Sequence, residues 1–317
     1  MSAKAEIHSD LVIDKIKQNM EKVMAGKQEV IDMVLTALLA GGHILLEDVP
    51  GVGKTTLAAA LAKAIGCGYN RIQFTPDTLP SDITGVSVYN MQSGEFEYKE
   101  GAIMNHVILA DEINRTSPKT QASLLEAMEE ARVTVDGITY ELPKPFMVIA
   151  TQNPVEYLGT YQLPEAQLDR FFMKLSIGYP GEQDEHEMVH RFLSVKDWKN
   201  IQPAAGAQAI LDMQKKTAQI QVHKDIAAYA VSIVRETRNH SLISLGASPR
   251  ATLFVIRGAQ AAAYLAGREY VIPEDVLKII RPVLAHRLVL TPEARLGRQT
   301  ADKVLSSILC DVKVPLL

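Results

Sequence analysis

The spacing of apolar positions changes period several times along the chain, and each change marks an element. Ile13, Ile16, Met20 and Val23, then Val30, Ile31, Val34, Leu35 and Leu38, fall at helical spacing and predict helices over residues 9–24 and 28–40. A short apolar run, Ile44-Leu45-Leu46, stops at Glu47-Asp48 and Pro50, and helical spacing resumes from Leu57 to Ile65. Further strands are expected at 71–74, at 106–110 ending in Asp111-Glu112, at 147–151 ending in Gln152-Asn153-Pro154, and at 171–177. Helical patterns at 119–130 and 164–170 lie between them. Val86 to Lys99 alternates around Ser93-Gly94 and suggests a hairpin. Asp136-Gly137 is a stronger hairpin signal, pairing Val135 with Ile138, Thr134 with Thr139, Val133 with Tyr140 and Arg132 with Glu141. After the turn Tyr179-Pro180-Gly181 the pattern is helical only, over 182–194, 206–217, 223–239, 249–267, 274–288 and 297–310. The expected division is therefore an α/β domain over 1–180, with N-terminal helices and two hairpin inserts, and an all-helical domain over 181–317.

Composition narrows the class. With 317 residues, 47% hydrophobic and 22% charged, the chain suits a globular protein with a large core. The formal net charge of −4 offers no global basic field for nucleic acid or an anionic membrane. The two cysteines, Cys67 and Cys310, lack metal-ligand spacing and fit a reducing cytoplasm, where localisation is expected. The first ten residues do not read as a signal peptide, and the longest apolar run, near 34–46, is too short to span a bilayer.

The candidate chemistry clusters at strand ends. Val49, Pro50, Gly51, Val52, Gly53, Lys54, Thr55 and Thr56 join the first strand to a helix, the arrangement that cradles phosphate on backbone N–H groups and a helix start. Lys54 can reach the β- and γ-phosphates, and the Thr55 hydroxyl can ligate magnesium. The first glycine position of the strict pattern holds Asp48, whose carboxylate should point away from a bound nucleotide. Asp111 can hold magnesium through its water shell, and Glu112 can polarise an attacking water. Two carboxylates beside a triphosphate would repel without a cation, so ATP is expected with Mg²⁺. Asn153 can orient a water or touch the γ-phosphate, although Asn-Pro alone reads as a turn. Ser248-Pro249-Arg250 reads as N-cap, N1 and N2 of a helix, where a cation opposes the helix dipole by about 0.3–1 kcal/mol, which suggests a tertiary task such as meeting phosphate. Arg170 lies near a helix end, where a positive charge is ordinary.

The segments DVPGVGKT, LADEINR, TQNP, LPEAQLDRFF and GASPRA, in that order, resemble the MoxR family of AAA+ ATPases over residues 26–287. The resemblance implies an αβα P-loop core with a five-stranded parallel sheet, an all-helical lid, and a homo-oligomeric ring, expected to be a hexamer, with ATP between subunits. By position it implies that Lys54 and Thr55 belong to Walker A, Asp111 and Glu112 to Walker B, and Asn153 to sensor 1. Arg250 matches sensor 2 acting in cis, and Arg170 is the expected arginine finger acting in trans. Asn114 and Arg115 also match, without an assignable role. The hairpins resemble inserts that face a central pore. Family members remodel or mature protein complexes, some by metal-centre insertion, often with von Willebrand A-domain partners.

Two other classes stay open: a nucleic-acid motor, which the acidic pI and near-neutral hairpins argue against, and a nucleotide-gated module with little hydrolysis, which an intact Glu112 argues against. His186-Glu187-Met188-Val189-His190 matches the zincin pattern H-E-x-x-H, but its polar flanks and Leu193 at the metzincin glycine position make it read as an exposed helix.

Overall fold

The computed structural model describes residues 2–153, 160–193 and 201–315. The chain forms two compact units: Met1–Val34, His43–Leu163 and Leu175–Leu211 in the first, and Leu35–Gly42, Pro164–Lys174 and Asp212–Leu317 in the second. In chain order the elements up to the third strand are α1 (Ser2–Glu21), α2 (Gln28–Leu39), β1 (Ile44–Glu47), α3 (Lys54–Ala64), β2 (Tyr69–Gln73), α4 (Pro80–Thr84) and β3 (Gly85–Asn90). There follow β4 (Glu95–Glu100), β5 (Val107–Asp111), α5 (Pro118–Glu130), β6 (Arg132–Val135), β7 (Ile138–Glu141) and β8 (Met147–Gln152). The rest comprises α6 (Glu165–Leu168), β9 (Met173–Leu175), α7 (Glu182–Leu193), α8 (Ala207–Gln219), α9 (Lys224–Asn239), β10 (Ile243–Leu245), α10 (Pro249–Leu265), α11 (Pro273–Leu284), β11 (Val289–Leu290), α12 (Pro292–Leu296) and α13 (Ala301–Asp311).

Five strands form a parallel sheet in the order β2-β5-β8-β1-β9. Its middle strands are continuous apolar runs because helices cover both faces of such sheets, and Ile44 to Leu46, Ile108 to Ala110 and Val148 to Ala150 are fully buried. β2 is an edge strand, which accounts for its polar, exposed Arg71 and Gln73. The register sets Leu46 beside Thr151 and Ala110 beside Ala150, so β1, β8 and β5 end at one level. Their carboxyl ends are where an open parallel sheet presents a site.

Both hairpins form. In the second, Asp136 and Gly137 have φ of 49° and 79°, the left-handed pair a two-residue I′ turn requires, and the four cross-strand pairs are those read from the alternation. Thr134 and Thr139 are joined through their hydroxyls at 3.1 Å, whereas Arg132 pairs with Glu130 rather than crossing to Glu141. Tyr98 of the first hairpin stacks on Tyr140 of the second with ring centroids 3.9 Å apart.

The strand expected over 171–177 is shorter, spanning 173–175. Its flanking backbone groups have other partners: the Phe171 and Phe172 carbonyls accept from Arg287, and the Ile177 and Gly178 N–H groups donate to Asp48. In the second unit α10 and α11 pack closely at Gly258, where a Cβ would lie 2.5 Å from Ile279 Cγ2. That unit is mostly helical but not wholly so. β10 and β11 pair as a small antiparallel ribbon, three and two residues long, too short to show a period in the sequence. The last expected helix, 297–310, starts later, as α13 at Ala301, because Arg298 has φ of 54° and Thr300 is the N-cap; the short α12 before it was not expected.

Candidate active site

β1 delivers the chain into the loop 48–53. Gly51 and Gly53 have φ of 89° and 97°, values that favour glycine, and Gly53 caps α3 without a side chain. The first-turn N–H groups of α3 are therefore left for an anion rather than for a capping oxygen. Lys54 Nζ donates to the Asp48 carbonyl at 2.7 Å, and Thr55 is exposed on the same helical turn.

Asp111 closes β5 and is largely buried. Its Oδ1 accepts from the Thr151 hydroxyl at 2.6 Å, and its Oδ2 accepts from Arg71 Nη2 at 2.6 Å and Nε at 3.1 Å. Glu112 follows in the left-handed region (φ 58°, ψ 48°), a conformation that costs a non-glycine residue about 1–2 kcal/mol. It is held there from both sides. Its N–H donates to Thr151 Oγ1 at 2.8 Å, while its Oε2 accepts from Gln73 Nε2 at 2.9 Å and Arg115 Nη1 at 3.1 Å. Strain fixed by this many contacts is a mark of a functional position. Asn153, buried, follows β8 immediately. Beyond Glu112, the Gln121 side chain donates to the carbonyls of Ile113 (3.1 Å) and Tyr161 (2.9 Å), and the Asn114 carbonyl accepts from the Tyr161 N–H.

The first unit thus brings Lys54, Thr55, Asp111, Glu112 and Asn153 to the ends of three adjacent strands. Arg170 and Arg250 belong to the second unit. There Ser248 caps α10, Pro249 occupies N1, and the Ser248 hydroxyl donates to both oxygens of Asp169 at 3.1 and 3.0 Å. Arg287, buried, donates through Nε to Asp169 Oδ1 at 2.8 Å and over the Phe254 ring stands 5.1 Å from its centroid. Asp169 therefore ties the segment carrying Arg170 to the cap of the helix carrying Arg250. Burial, and then the Arg287 charge beside it, hold the His286 imidazole well below the ordinary histidine range. Its Nε2 faces Arg287 Nη1 at 2.8 Å and so accepts as a neutral ring.

Sequence reasoning did not single out Arg71, Gln73, Thr151 or Arg287. Arg71 and Gln73 share one face of β2 by the two-residue period, and Thr151 is a polar residue closing an apolar run; those were the available signals. Arg287 had none, since its partner Asp169 is 118 residues away. His186 and His190 lie exposed on α7, and among the described residues no group of three or more His, Cys, Asp or Glu could hold a metal ion. No described helix is long and apolar enough to cross a membrane.

Residues 43–173 match the family described as ATPase family associated with various cellular activities, and residues 235–308 match the AAA lid domain. The chain is 38% identical to Chaperone MoxR1 of Mycobacterium tuberculosis, over 98% of this chain and 84% of that one. It belongs to the MoxR family of AAA+ ATPases. The protein YeaC of Bacillus subtilis is similar at 48% identity, covering 99% of this chain and 98% of its own. A solved structure from Cytophaga hutchinsonii superposes with a TM-score of 0.91 at 37% identity, covering 99% of this chain and 98% of that one. As a MoxR-type AAA+ ATPase the chain is an ATP hydrolase with ATP-driven, chaperone-like activity.

Proposed function

We propose that this MoxR-type chain binds Mg²⁺·ATP on residues 49–56 and uses its hydrolysis to remodel or mature a protein complex. The observation that carries the reading is the convergence of Lys54, Asp111, Glu112 and Asn153 at the ends of β1, β5 and β8, with Glu112 held in a strained conformer. Lys54 neutralises the β- and γ-phosphates, Glu112 orients and polarises the attacking water, and Asn153 senses the γ-phosphate. Thr55 and Asp111 offer hydroxyl and carboxylate oxygens, the donor set a hard divalent cation takes, and would hold Mg²⁺ partly through water. When bound, Mg²⁺ supplies charge neutralisation of the phosphate oxygens.

Arg250 acts as sensor 2 in cis and Arg170 as the finger supplied to a neighbouring subunit. The working form is a ring, taken to be a hexamer, in the cytoplasm. A protein partner suits the first hairpin, which exposes Met91, Phe96 and Tyr89 beside Glu95, Glu97 and Glu100; apolar and acidic groups do not favour a phosphate backbone. A von Willebrand A-domain protein is the partner class, with metal-centre insertion as one form of maturation.

Glu112→Gln tests the reading. The variant is expected to bind ATP as the parent does and to lose turnover; undiminished turnover removes Glu112 from the mechanism. Mixing it with inactive Arg170→Ala subunits should restore partial activity in mixed rings, and mixed rings without activity would remove the trans role.

A further inference from the structure

Asp48 stands where the strict phosphate-loop pattern has glycine, and the mechanism above does not use it. The residue is buried, and its carboxylate is bound to residues 176–178, outside the loop, as charge repulsion from phosphate requires. Oδ1 accepts from the Ser176 hydroxyl at 2.7 Å and the Gly178 N–H at 3.1 Å, and Oδ2 accepts from the Ile177 N–H at 2.7 Å. These are charge-assisted bonds to three consecutive residues, a set that neither glycine nor alanine could replace. The same stretch is gripped through its carbonyls by Lys27, whose Nζ donates to Ile177 and Tyr179 at 2.8 Å each. The backbone of Asp48 faces the other way: its carbonyl receives Lys54 Nζ at 2.7 Å. One residue therefore touches the phosphate-binding lysine with its main chain and residues 176–178 with its side chain.

We propose that Asp48 is a positioning residue for the phosphate loop, fixing its first turn to residues 176–178 so that nucleotide binding and the order of that segment are linked. The proposal rests on the reading of residues 49–56 as the ATP cradle. Linkage is reciprocal: what holds 176–178 against Asp48 also preorganises the loop, and nucleotide on the loop in turn steadies 176–178. The role accounts for the departure from the glycine pattern. A carboxylate at this position does what glycine cannot, and Pro50, Gly51 and Gly53 supply the turn geometry.

The test uses the full chain with ADP and MgCl₂ as probe, reading Kd by calorimetry and backbone hydrogen exchange across 176–178. In the parent, ADP should slow exchange of the Ile177 and Gly178 amides. Asp48→Gly restores the strict glycine pattern, yet it should weaken ADP binding about tenfold and abolish the ADP effect on those amides. Ser176→Ala, which removes one of the three donors and leaves the loop sequence intact, should weaken binding about threefold and decides the matter if Asp48→Gly does not fold. Lys54→Ala serves as reference. If it abolishes binding while Asp48→Gly and Ser176→Ala keep the parental Kd and ADP protection, Asp48 is only a structural staple and the proposal is overturned. If Lys54→Ala itself binds ADP as the parent does, the reading of the loop as the cradle fails instead.

Discussion

Thr151→Val removes one oxygen and keeps the volume of a fully buried side chain. That oxygen makes two bonds at once, donating to Asp111 Oδ1 at 2.6 Å and accepting the Glu112 N–H at 2.8 Å. A hydrogen bond to a charged group contributes about 1.5–3 kcal/mol, and stranding a part-buried N–H costs about 1 kcal/mol more. The left-handed conformer of Glu112 is itself about 1–2 kcal/mol uphill, so losing its N–H anchor gives the residue a reason to relax. If half of roughly 3 kcal/mol falls on the transition state, turnover drops about tenfold, and if all of it does, about a hundredfold. Lys54 and the loop N–H groups are untouched, so ATP affinity should stay within about threefold of the parent. Steady-state ATPase measurements paired with calorimetric binding separate the two quantities. Thr151→Ser keeps the hydroxyl and should keep most of the rate. A Thr151→Val enzyme with parental kcat would refute the argument that this hydroxyl positions Glu112.

Two further predictions concern the second unit. Gly258→Ala gains about 1 kcal/mol of helix propensity but drives a Cβ into Ile279, where overpacking costs about 1–3 kcal/mol, so the melting temperature should fall; a rise would mean that α10 and α11 separate freely. His286 is neutral when folded, with its pKa depressed, so below the unfolded value near 6.5 the unfolded chain takes up a proton that the folded chain refuses. Stability is therefore full above that pH and declines as pH falls, by up to about 1.4 kcal/mol per unit. His286→Asn should melt with a flatter profile between pH 7.5 and 5.5, and superimposable profiles would contradict the assignment.

What was legible in the sequence was whatever repeats locally. The buried runs of β1, β5 and β8, the I′ turn at Asp136-Gly137 and the cap at Ser248 each follow from a few adjacent residues, and each is where the pattern put it. The loop 48–56 and the pair Asp111-Glu112 were legible for the same reason, since a strand, a turn and a helix start are local events. The supports were not. Arg71 reaches Asp111 across 40 residues and Thr151 reaches it across another 40, through neighbours that only the strand order defines. The ends of β9 were unreadable because Arg287 and Asp48, both distant in sequence, claim the backbone groups that would have extended it.

The same strand order resolves the electrostatic conflict at this site. Asp48, Asp111 and Glu112 lie at the ends of two sheet strands of the first unit, three carboxylates near the place of a polyanionic nucleotide. Each is met by a different counterpart. Two backbone N–H groups and a hydroxyl take Asp48, Arg71 takes Asp111, and Arg115 with Gln73 takes Glu112. Lys54, by contrast, donates to the Asp48 carbonyl and, among the described residues, not to one of these carboxylates. A carbonyl is readily exchanged for a phosphate oxygen, whereas a buried carboxylate would compete with it. The arrangement thus leaves the one lysine of the loop to the nucleotide by giving Asp48, Asp111 and Glu112 partners of their own.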